Sequence, residues 1–131
     1  MNWWLSGHDV IWRTLKHMST EISQMAVTAL EDLKGNDIVC LDVTELSDVM
    51  DTLVIASGTS NRHVKSLANN VVEEGKDRGM RPIGVEGMET GEWVLVDFGD
   101  TVVHVMMPST RDFYDLEKLW STEPSSRTSD S

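Results

Sequence analysis

Apolar residues recur at helical spacing over residues 20–34, where Ile22, Met25, Ala26, Ala29, Leu30 and Leu33 follow the i, i+3, i+4, i+7 pattern. This predicts a first helix, and Gly35 supplies its stop. Ile38–Val43 is a short β-branched run with Val39, Leu41 and Val43 on one side, which predicts a strand. Leu53–Ala56 is short and continuously apolar, as a strand buried on both faces would be. Gly58-Thr59-Ser60 breaks that run and can cap a helix after it. This second helix is predicted over 61–74, with Val64, Leu67, Ala68, Val71 and Val72 turned inward. Gly79 and Pro82 bracket its exit, and Ile83–Val85 can form a short strand.

From Glu92 to Met107 the period changes from helical to strand-like. Trp93, Leu95 and Asp97 alternate with Val94, Val96 and Phe98; Val102, His104 and Met106 alternate with Val103, Val105 and Met107. Phe98-Gly99-Asp100 sits between the two runs as a turn, in which Gly99 can take a positive φ. The segment therefore predicts a hairpin. Both of its faces are largely apolar, so one is expected to carry helices and the other to meet something else. Pro108 ends the second strand, and a final helix is predicted over Thr110–Trp120. The order of elements is α, β, β, α, β, β, β, α. Interleaved helices and strands predict an α/β (α+β) fold: a single mixed β-sheet with helices packed on it.

The two ends differ from this middle. Residues 1–17 hold Trp3, Trp4 and Trp12, three of the five tryptophans, and are followed by His17-Met18-Ser19-Thr20. We read residues 1–17 as an expression leader, the alternative being a natural amphipathic extension with Trp4, Ile11, Trp12 and Leu15 on one helix face, residues 18–120 as the domain and residues 121–131 as a disordered tail. That tail, STEPSSRTSDS, contains one Pro, five Ser and no apolar residue.

Charge narrows the choice of partner. The 131 residues carry 22 acidic and 11 basic side chains, a net of −11. The leader adds only Asp9, Arg13 and Lys16, so the acidic balance belongs to the domain. Such a surface repels phosphates, which argues against direct sequence-specific nucleic-acid binding. It is either a solvated surface that keeps a small protein soluble or a face suited to a basic protein, where opposite potentials steer association. No apolar run approaches the roughly 20 residues that cross a bilayer. Cys40 is the only cysteine, so no intramolecular disulfide can form, which fits a reducing compartment. The expected location is the cytoplasm.

Several catalytic readings fail on the residues themselves. Gly58-Thr59-Ser60 opens a helix after a strand, but no Gly-x-x-x-x-Gly-Lys precedes it, so it is no P-loop. A nucleotidyltransferase would need two acidic residues on a following strand to hold metal ions. Roughly ten residues after Ser60 stand Asn69 and Asn70, in a helix. The turn is thus read as a structural cap. His63 and His104, the histidines outside the leader, have no paired ligand spacing, and no base neighbours Cys40 in sequence. His63 is expected on the surface of the first helical turn, and His104 as a hydrogen-bonded, half-buried residue. Asp100 is expected to form the hairpin turn and Asp97 to face solvent or a partner. Trp93 is open between two roles, core packing and exposed interface anchor. No enzyme, cofactor or metal site is expected.

Taken together, several segments resemble the ribosomal silencing factors, the RsfS or Iojap-like family. They are Leu33-Lys34-Gly35 with Asp37-Ile38; Leu41-Asp42-Val43; Ala56-Ser57-Gly58-Thr59-Ser60 with Arg62-His63-Val64; Gly84-Val85-Glu86-Gly87; Gly91-Glu92-Trp93-Val94-Leu95-Val96-Asp97; Gly99-Asp100; Val103-His104-Val105; and Phe113-Tyr114-Asp115-Leu116-Glu117-Lys118-Leu119-Trp120. The match runs from near Met25 to Trp120. Met50-Asp51-Thr52-Leu53 departs from it, because the family often has an aromatic after the aspartate. The resemblance implies a nucleotidyltransferase-like topology without the catalytic carboxylates. It also implies binding to the large ribosomal subunit through ribosomal protein L fourteen, a steric block of small-subunit joining under nutrient limitation and, in some members, a homodimer. Organellar relatives assist large-subunit assembly. The implied partner surface comprises Trp93, Leu95 and Asp97, the turn residue Asp100, His104 and Met106, with Tyr114, Asp115 and Lys118 from the last helix.

Overall fold

The computed structural model describes residues 21–120, so the expected leader and tail lie outside the described residues. Helix α1 covers residues 21–32. After it come β1 (Asn36–Asp42), β2 (Thr52–Ser57), α2 (Asn61–Asp77), β3 (Gly84–Glu86), β4 (Trp93–Asp97), β5 (Thr101–Met106), α3 (Pro108–Tyr114) and α4 (Leu116–Leu119). The five strands form one sheet in the order β1-β2-β5-β4-β3. Only the central pair, β2 with β5, is parallel; the other three pairings are antiparallel. The single mixed sheet read from the sequence is the observed architecture.

Helices α1 and α2 seal one face. Ile22, Met25, Ala26, Ala29 and Leu30 of α1 and Val64, Leu67, Ala68 and Val71 of α2 pack on Val54 and Ala56 of β2, Val94 and Val96 of β4 and Val103 and Val105 of β5. The expected cap is present: Ser60 accepts a hydrogen bond from the His63 backbone N–H at 3.0 Å, satisfying a donor that the helix start leaves without an internal partner. α2 runs three residues beyond the expected end, to Asp77, and includes Gly75, which is buried where a side chain would meet the Met80 carbonyl and the Phe98 ring. α1 ends two residues early. Leu33, expected inward, is 38% exposed, and Lys34 takes φ 62° as the chain turns toward β1.

Two side chains tie α1 to α2. Asn70 donates to the Ala29 carbonyl at 2.8 Å. His63 was expected as a surface residue, yet both of its ring nitrogens are engaged. Thr59 N–H donates to Nδ1 at 2.9 Å, and Nε2 lies 2.8 Å from the Leu33 carbonyl. An acceptor at Nδ1 and a carbonyl at Nε2 fix the tautomer with its proton on Nε2. His63 therefore pins the end of α1 to the start of α2.

The opposite face is only half covered. Val43, Leu53, Ile55, Met106 and Leu116 form a second cluster, with Leu41, Met50, Val102, Trp93 and Trp120 partly buried around it. The cover comes from the C-terminal segment, and here the expected single helix over Thr110–Trp120 is corrected. Asp115 takes the left-handed conformation (φ 49°, ψ 57°), ending α3 and starting α4. The break turns Leu116 down onto the sheet and leaves Phe113 80% exposed. Arg111, 8% exposed, holds the bend from beneath: Nε and Nη2 donate to the two oxygens of Glu117 at 3.0 and 2.8 Å, and Nη1 donates to Ser57 at 2.9 Å. Hydrogen bonds from Arg111 hold the Glu117 carboxyl below its usual pKa.

Candidate functional site: the open face of the hairpin

The uncovered half of the second face belongs to β4 and β5. Their register pairs Trp93 with Met106, Leu95 with His104 and Asp97 with Val102. Strand residues two apart share a face, so all six side chains project from the same side, away from α1 and α2. Their immediate neighbours Val94, Val96, Val103 and Val105 are fully buried under the helices. Trp93 is placed by the loop before it as well. Gly87 takes φ 92° there, and a Cβ on it would lie only 2.1 Å from the Trp93 carbonyl oxygen, so the close approach needs glycine.

Trp93 is neither fully buried nor fully exposed. Its ring is partly buried in the second cluster, and its Nε1–H donates to Nδ1 of His104 at 2.8 Å. The two rings are 5.8 Å apart. Tyr114 packs against Trp93 at 4.8 Å with a 47° tilt, and Phe113 meets Tyr114 edge-on at 4.9 Å and 85°. These separations suit tilted and edge-to-face aromatic pairs. An aromatic ridge thus rises from the buried imidazole through Trp93 and Tyr114, which is 52% exposed, to Phe113 at its tip. His104 is 8% exposed rather than half-buried, and burial pushes its pKa down to about 4.

The expected site residues fall into groups. Trp93, Leu95, His104, Met106 and Tyr114 come together, with Asp97 on the same face. Met106 has no accessible surface, so it is the floor under Trp93 and not a contact surface. Asp97 does work expected of Asp100: its carboxylate accepts from Gly99 N–H at 2.7 Å and braces the turn. Asp100 contributes through its backbone carbonyl, which accepts from Asp51 and Thr52 N–H, while its side chain is exposed. Asp115 lies elsewhere, on the rim of an open groove of about 640 Å³ shared with Asp37, Arg111, Asp112 and Glu117. Lys118 is exposed on α4, past the break.

The sequence reading missed two residues. Phe113 carries a signal in the sequence, a large apolar side chain beside a tyrosine, which marks a candidate interface. Arg111 gave no signal, since its partner Glu117 stands six positions on and would not meet it along an unbroken helix.

The arrangement offers a surface and little reactive chemistry. Among the described residues no group of three or more His, Cys, Asp or Glu side chains could hold a metal ion. Cys40 stands on β1 with its residue surface exposed but its sulfur partly desolvated, and that desolvation raises the thiol pKa, which opposes thiolate formation. No helix among the described residues is long and apolar enough to cross a membrane. These features define a small α+β protein that caps one face of its sheet with helices and displays an aromatic ridge on the other.

Comparison with known proteins gives this protein a family. The model for "Ribosomal silencing factor during starvation" matches residues 16–131, and the chain belongs to this RsfS family. It is similar to the ribosomal silencing factor of Chromobacterium violaceum, with 54% identity over 76% of this chain and 82% of that protein. The mouse protein "Mitochondrial assembly of ribosomal large subunit protein 1" is 37% identical over 74% of this chain and 44% of its own length. A crystal structure of a Chromobacterium violaceum protein superposes with a TM-score of 0.77 at 52% identity, covering 79% of this chain and 87% of that one.

Proposed function

We propose that this protein silences ribosomes in the cytoplasm by docking the open hairpin face on ribosomal protein L fourteen of the large subunit, where it sterically blocks small-subunit joining. Family membership supports the ribosome as target. The observation that carries the site is the ridge of Trp93, Tyr114 and Phe113 beside a carboxylate-bearing hairpin. Aromatic anchors supply apolar burial at protein interfaces. Asp97 and Asp100 stand at the end of the same hairpin, where charge-assisted hydrogen bonds to Arg and Lys of a basic partner are the stronger kind. The net charge of −11 steers the encounter. The mechanism is occlusion, without bond chemistry or a cofactor.

Titration of purified ribosomal protein L fourteen with the full chain, wild type beside Trp93→Ala, tests the reading. Binding that weakens with salt, and by ~2 kcal/mol or about thirtyfold in the variant, is the expected result. A folded variant that binds as well as the parent removes Trp93 from the interface. A homodimer using the same face would compete with the partner, and the protein-concentration dependence of the titration reads that out. A second reading, assistance to large-subunit assembly, is favoured by the name of the mouse relative. Sedimentation separates the two: a silencing factor rides mature large subunits, an assembly factor immature ones.

A further inference from the structure

Resting on that docking reading, we infer that His104 is a positioning residue, which acts on the partner only by locking the indole of Trp93 so that its carbon surface, and not its N–H, faces outward. Trp93 stands opposite Met106 in the ladder, and His104 lies one diagonal step away on the same face of β5. Diagonal neighbours across an antiparallel pair are within reach of an aromatic side chain. The indole has one polar atom, and that atom can only donate. On a partly exposed ring water could satisfy it, yet it is directed to the buried Nδ1 of His104 at 2.8 Å. The hydrogen bond turns the polar edge of Trp93 down into the sheet. Tyr114 then packs on the ring at 4.8 Å, which holds it from α3.

The acceptor role demands a neutral imidazole with its proton on Nε2. Burial keeps it neutral, with a pKa near 4. A locked indole loses little rotamer freedom when a partner arrives, which favours affinity by pre-organisation. It also defines the partner's side of the contact: an apolar pocket with no acceptor aimed at Trp93.

The test uses the full chain and two readouts. The first is the Trp93 indole Nε1–H resonance in nitrogen–proton spectra, assigned by its loss in Trp93→Phe. The second is the dissociation rate from purified ribosomal protein L fourteen. His104→Phe keeps a ring but removes the acceptor, and His104→Leu removes it with a smaller side chain, so that failure of one variant to fold leaves the other. His104→Asn returns an oxygen near the former Nδ1 position. Both acceptor-free variants are expected to shift the indole signal, speed its hydrogen exchange and accelerate dissociation about tenfold. His104→Asn is expected to restore the signal and bring dissociation back toward the parent rate.

An unshifted indole signal in the acceptor-free variants overturns the pair. A shifted signal with unchanged dissociation overturns the positioning role. Weakened binding in all three variants with the indole signal intact would make His104 a direct contact, which also overturns it. If the parent chain itself does not bind, the partner reading falls and the outward role of Trp93 with it, while the indole signal still decides separately whether His104 holds the ring.

Discussion

The two faces of this sheet are built from the same strands and do opposite work. On β4, Val94 and Val96 are fully buried under α1 and α2, whereas Trp93, Leu95 and Asp97, each one residue away, are partly exposed. On β5 the contrast is subtler, because His104 and Met106 are buried although they point to the open side. Trp93 lies against both, donating to His104 and packing on the cluster that holds Met106, and Leu116 from the C-terminal segment packs in the same cluster. The closed face gains stability from apolar area removed from water; the open face keeps apolar area available and rigid. A two-residue period is enough to keep the two tasks apart.

That contrast can be broken at several points. The largest effect is expected on the closed face: Leu67→Ala should cost about 2–5 kcal/mol of unfolding free energy and leave partner affinity per folded molecule unchanged. A denaturant titration checks it. Acid tests the floor of the open face. The pKa of His104 falls from an ordinary 6.5 to about 4 on folding, so the unfolded chain takes up its proton first as pH drops. The stability that His104 contributes as a neutral group is therefore intact above pH 6.5 and declines between 6.5 and about 4 by up to roughly 3 kcal/mol. His104→Asn should flatten that part of the stability–pH curve. Next comes Trp93→Ala, with its ~2 kcal/mol loss of binding and a fold that persists. The smallest effect belongs to Phe113→Ala: stability should hold within ~0.5 kcal/mol, and affinity for ribosomal protein L fourteen should fall about fivefold. Unchanged affinity there would limit the docking surface to the sheet and Tyr114.

Much of this was legible because it is local. Helix α1, the buried strand β2, the Ser60 cap, the Gly99 turn and the two-faced hairpin each arise from spacing and turn chemistry within a dozen residues. The errors cluster where a distant contact overrides the local pattern. Thr110–Trp120 reads as a single helix because no Gly or Pro interrupts it. The left-handed Asp115 and the buried Arg111, held by Ser57 from another strand, instead break the helix and put Phe113 in solvent. His63 lies in the first turn of its helix and is not buried, as expected; what the sequence hides is its partner, the Leu33 carbonyl, thirty positions away. The roles of Asp97 and Asp100 were exchanged because either aspartate can brace a turn, and only the backbone geometry selects the one whose carboxylate reaches Gly99 N–H.

The order and type of most elements, the single mixed sheet, the acidic balance and the family are legible in the chain as written, since periodicity, turn residues, charge and motif order are its own properties. Three features come from tertiary contacts alone: which half of the second face stays open, the donation of the Trp93 indole N–H to the buried His104, and the ridge that Tyr114 and Phe113 build onto Trp93. Those features depend on side chains brought together from β4, β5 and α3, and their pairing is set by strand register and a helix break that no local pattern encodes.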